Sequence, residues 1–169
     1  MRCPTRDLLA RRPERLVVSG FRNIMAAYDL GDASCWDAVW DQFIAELGAP
    51  WARRLVGELQ YWTRCVRITA ERPLAFFPQC CLQLCHDECM ALSLVAAAQA
   101  GDEHTGLLAI QHLTGCNDTC RMQDAWFATL PFATALKCAN QIMYPVNAAS
   151  CSRSTTCTAP HMTGSDHGP

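Results

Sequence analysis

Large apolar residues recur every three or four positions through the first half of this chain, the period of a helix with one buried face. Val17, Phe21, Ile24 and Tyr28 step by 4, 3 and 4, and Val18 and Met25 widen the stripe. The same spacing returns in Trp36, Val39, Trp40, Phe43, Ile44 and Leu47, and again in Trp51, Leu55, Leu59, Trp62 and Val66. Gly31, Gly48 and Pro50 fall between these runs, where helices stop and start. Ser34-Cys-Trp-Asp37 has the form of a capping box with aspartate in place of glutamate. No run alternates with period two, so the pattern predicts an all-α fold.

The second half continues in the same vein. Arg72-Pro73 and Pro78 bracket a break whose Phe76 and Phe77 are expected to plug the end of the core. A long helix is expected from Gln79 to Ala100. Its stretch from Met90 onward is nearly all apolar or small, which marks it as the central, most buried helix. Asp102 is the expected N-cap of a helix from Glu103 to Leu113, and Gly115 ends it. A last helix is expected to begin near Asn117 or Asp118, to kink or stop at Pro131, and to continue to Ala139. From Val146 onward the chain is rich in Ser, Thr, Gly and Pro, which predicts a mobile tail. With 169 residues, one domain is the natural size. The expectation is a single bundle-like domain of five to six helices over 1–145 and a flexible tail over 146–169.

Cysteine is the compositional outlier, with 12 of 169 residues. The run Met1-Arg-Cys-Pro-Thr-Arg-Asp-Leu-Leu-Ala-Arg-Arg-Pro13 contains no apolar leader core, so a cytoplasmic setting is expected, in which cysteines are thiols or metal ligands. Only one of the 14 basic residues, Lys137, is lysine, a bias typical of a high-GC bacterial gene. Cys81, Cys85 and Cys89 recur at i, i+4 and i+8. On a helix neighbouring members of that series share a face, and two thiolates so placed converge on one ion. The outer two are about 12 Å apart along the axis, beyond one ion's reach. Cys116 and Cys120 form a second i, i+4 pair, and His86 flanks the first stripe. Cys81, Cys85, Cys89, Cys116, Cys120 and His86 are therefore the candidate ligands, for Cu(I), Zn(II) or an iron–sulfur cluster, all of which soft thiolates favour. The competing reading makes the same cysteines small core hydrophobes.

The C-x3-C spacing at 81–85, 85–89 and 116–120 resembles the ligand pairs of bacterial copper-storage bundles, and that resemblance implies a metal-lined interior. It covers about a tenth of the chain. It departs from the pattern in having pairs on two helices only and a tryptophan-rich first half, so the chain is not assigned to that family.

Other chemistry is thinly represented. A formal charge of −2 and a pI near 6.2 argue against a general nucleic-acid binder, and no apolar run is long enough to span a membrane. There is no phosphate-cradling glycine loop and no zinc-protease helix. Cys85 and His86 diverge by about 100° on a helix and cannot form a nucleophile–base pair with each other. Arg53, Arg54, Arg64 and Arg67 form helix faces suited to an acidic protein partner, against the plainer reading of a solvated surface. The leading expectation is a small metal- or redox-handling accessory protein. A helical protein-interaction or regulatory module with structural cysteines is the alternative, and a cysteine-dependent enzyme comes third.

Overall fold

The computed structural model describes residues 4–146. Among the described residues there are seven helices and no strand: α1 (Pro4–Ala10), α2 (Arg12–Leu30), α3 (Ser34–Leu47), α4 (Ala49–Thr69), α5 (His86–Ala100), α6 (Glu103–Thr114) and α7 (Thr119–Cys138). The fold class matches the expectation, and the helix count exceeds it. The extra helix is α1, whose seven residues are too few to show a period, although its Leu8 and Leu9 pack on the core. Beyond Val146, the expected tail lies outside the described residues. Val146 itself packs on the core, and its carbonyl accepts a hydrogen bond from the Ser93 hydroxyl at 3.4 Å.

Helix ends follow local chemistry. Pro13 sits in the first turn of α2, and Gly31 closes that helix with φ 65°, a left-handed conformation that costs glycine nothing. At the start of α3 the N-cap is Ala33, and the Asp32 carboxylate just before it accepts from the Ser34 N–H at 2.9 Å; Ser34, the cap expected from sequence, is already inside the helix. Asp102 and Asp118 cap α6 and α7 through the N–H groups of Thr105 and Arg121. Pro131 does not stop α7, which runs through it to Cys138; the proline is exposed, on the solvent side of the helix.

The core forms where α4 meets α7 and where α5 packs on α6 and α7, with α2 and α3 completing the other side. Trp62 stacks on Phe132 with ring centroids 5.2 Å apart, and Phe21 lies 6.1 Å from the same indole. Helix α5 is buried on every side from Asp87 to Ala97, which bears out its expected central place. Its expected length is corrected. The helix begins at His86 rather than Gln79, and residues 70–85 form an irregular segment. Cys81 therefore precedes the helix, Cys85 is its N-cap, and the three-cysteine helical stripe does not exist.

Candidate functional site

The segment 70–85 is held by two carboxylates in the first turn of α5. Glu88 is fully buried and receives the Arg22 guanidinium through Nε (2.6 Å) and Nη2 (3.0 Å), together with the N–H groups of Phe77 (2.8 Å) and Cys85 (3.0 Å). Arg22 spends its remaining donors on the carbonyls of Pro78, Cys81 and Gln83. Asp87 does the same job one residue earlier. It accepts both terminal nitrogens of Arg72 (2.8 and 2.7 Å) and the Ala75 N–H (2.7 Å), while Arg72 also reaches the His112 carbonyl on α6 (2.9 Å). The Asp87 carboxylate in turn raises the Arg72 pKa. Cys85 and Glu88 make the capping box that starts α5. Its signature, Cys85-His-Asp-Glu88, stands in the sequence, with cysteine where serine or threonine is usual and two acids in the first turn.

The candidate ligands fall in separate surroundings. Cys81 and Cys89 are both buried and both disulfide-bonded, so neither offers a thiolate. The Cys85 thiol donates to the Ala75 carbonyl at 3.3 Å and packs with Phe77 and Cys81. Burial, reinforced by the nearby Glu88 charge, pushes its pKa up to about 12, so at neutral pH it is a protonated thiol. Cys116 is buried in the turn after α6, and Cys120 is exposed in the first turn of α7. They do not share a helix face, because Gly115 and Asp118 separate the elements. His86 is exposed and meets His112 edge to face, with ring centroids 6.2 Å apart. Among the described residues no group of three or more His, Cys, Asp or Glu is gathered closely enough to hold a metal ion.

The outer face of α4, which shows only its arginines in the sequence, is partly apolar. Arg53, Gly57, Tyr61, Arg64 and Ile68 follow one another at intervals of three and four, so they form one stripe, and each is exposed. Two grooves flank it. One, of about 340 Å³, lies between α4 and α7 and is lined by Tyr61, Cys65, Ile68, Arg121, Asp124 and Phe127, among others. The other, of about 410 Å³, lies over Gly57 and is walled by Tyr28, Trp36, Gln60, Tyr61 and Arg64. Tyr28 and Trp36 meet edge to face at 5.6 Å, and the Arg67 guanidinium covers the Tyr28 ring at 4.9 Å. Arg67 is paired with Asp29 and Arg121 with Glu71. Arg53, Arg54 and Arg64 have no ion pair among the described residues. The signal missed in the sequence was that Tyr61, Ile68 and Phe127 stand off the buried phase of their own helices. Compared with known proteins, the chain matches no family model, no curated protein and no solved structure.

Proposed function

We propose that this chain is a bundle-like helical protein-interaction module whose cysteines serve structure, and that the outer face of α4 with α7 receives an apolar segment of a partner protein carrying acidic residues. The observation that carries this reading is the run of large apolar side chains left in water there: Tyr61 is 56%, Ile68 65% and Phe127 60% exposed, around one groove. Aromatic side chains beside arginine are the composition of interface centres. The three unpaired arginines favour a partner of opposite charge. The use of Cys81 and Cys89 in disulfides supports structural cysteines and an oxidising setting rather than the reducing cytoplasm expected from sequence. A Cys85 thiol near 12 argues against a cysteine nucleophile, which needs a lowered pKa. No helix among the described residues is long and apolar enough to cross a membrane.

The test is selection of displayed random sixteen-residue peptides on the oxidised full chain, followed by affinity measurement on Ile68→Asp and Phe127→Asp variants. Enriched peptides should be apolar with Asp or Glu, and both variants should weaken them at least tenfold while keeping the wild-type circular dichroism. Absence of enrichment, or peptides that bind both variants as they bind the parent, overturns the reading.

A further inference from the structure

Glycine inside a helix is destabilising, so each such position calls for a reason. Three helices carry one. At Gly20 an added Cβ would lie 2.6 Å from Leu59 Cδ2, and at Gly106 it would overlap the Trp126 ring, so close helix packing accounts for both. At Gly57 an added Cβ meets nothing within 4 Å. Nothing in this chain's own packing asks for glycine there. The residue instead lines the groove, together with Tyr28 from α2, Trp36 from α3, and Gln60, Tyr61 and Arg64 from its own helix. A bare Cα on a helix surface lets a second backbone come closer than any side chain would allow.

We infer that the groove over Gly57 is where the backbone of an acidic, helical partner segment crosses α4, with a carboxylate of that segment on Arg64. This rests on the interaction-module reading and gives it a contact geometry. The groove, about 410 Å³, is large enough for two or three apolar side chains, and the T-shaped Tyr28–Trp36 pair offers them a rigid wall. The partner's charge follows from the rim. Arg64 lines the groove, Arg53 lies one turn before Gly57 on the same stripe, and neither has an ion pair among the described residues. An arginine with no internal partner beside an apolar wall fits an acidic side chain that it can hold bidentately. The helical form follows from the notch, because a helix brings a small residue to a bare Cα while its neighbours at i±3 and i±4 reach the flanking rings.

The experiment uses the peptides enriched on the oxidised full chain, measured against Gly57→Leu, Gly57→Ala and Arg64→Glu. Gly57→Leu should weaken binding at least tenfold by filling the notch, with a melting temperature no lower than that of the parent, because the space is open. Arg64→Glu should lose a similar factor and regain it with a peptide whose acidic residue is replaced by lysine. If peptides lose binding to Ile68→Asp and Phe127→Asp but keep it with Gly57→Leu and Arg64→Glu, this inference falls and the module reading stands. If no peptide is enriched, both fall. If sedimentation shows the parent dimeric and Gly57→Leu monomeric, the groove takes a second copy and the acidic-partner assignment is overturned.

Discussion

Replacing Glu88 with alanine removes the anchor of the irregular segment before α5, and the structure sets the scale of the loss. Four hydrogen bonds end on this carboxylate, two from Arg22 and one each from the Phe77 and Cys85 N–H groups. Both side chains are almost wholly out of water, at 4% and 0% exposure. Removing one partner of such a pair leaves an uncompensated buried charge and costs about 3–5 kcal/mol. The two stranded N–H groups add about 1 kcal/mol or more each where water cannot reach them. Three carbonyls still hold Arg22, so the lower end of the combined range, about 5 kcal/mol, is expected for Glu88→Ala. At about 2–4 °C per kcal/mol for a chain of this size, the melting temperature should fall by roughly 10–20 °C. Urea denaturation of the oxidised protein, followed by circular dichroism, measures the first figure, and a thermal scan measures the second. Amide exchange adds a regional check, because the N–H groups of Phe77 and Cys85 should lose protection before those of α4. The double variant Arg22→Met, Glu88→Leu should be less destabilised than Glu88→Ala, since it leaves no charge buried. A loss under about 1 kcal/mol for Glu88→Ala would refute the argument that this pair is desolvated and holds the segment.

Three further outcomes are expected. Iodoacetamide on the native, unreduced protein should label Cys80, Cys120 and Cys138 first and Cys85 and Cys116 only on unfolding, while Cys81 and Cys89 should need prior reduction; mass spectrometry showing native labelling at Cys81 or Cys89 would contradict the disulfides. Because the Cys85 thiol titrates near 12 in the folded protein against 9.0 ordinarily, its contribution is whole below pH 9 and is lost as pH rises toward 12. Between pH 9 and 10 the parent should therefore lose about 1 kcal/mol more than Cys85→Ala does in matched urea titrations, and equal losses would sink the claim. Gly57→Ala should raise stability by about 0.5–1 kcal/mol, whereas Gly106→Ala should lower it by about 1–3 kcal/mol because the new methyl meets the Trp126 ring; denaturant midpoints that move together would refute the distinction.

Local sequence is enough for the helices whose apolar residues repeat on one face and whose ends carry glycine, proline or aspartate. Helices α2, α3, α4 and α6 are legible in that way, because period and cap are local properties of the chain. So is the central burial of α5, since a helix apolar all round has nowhere else to go. Helix α1 was hidden by its length. The segment 79–85 departs from its helical pattern for a different reason. Its cysteine spacing fits a helix, but Arg22 and Glu88, 66 residues apart, hold it in an irregular, turn-containing course, and a tie across such a distance leaves no local trace. The same holds for the cysteines, whose spacing suggested a shared metal while the tertiary structure put Cys81 and Cys89 into disulfides and sealed Cys85 as a thiol. The α4 face divides along the same line. Its arginines were readable, but the groove over Gly57 arises only when Tyr28 and Trp36 are brought beside it from α2 and α3. Periodicity tells which side of a helix is buried; which side chains come to stand around an exposed one depends on how the helices pack.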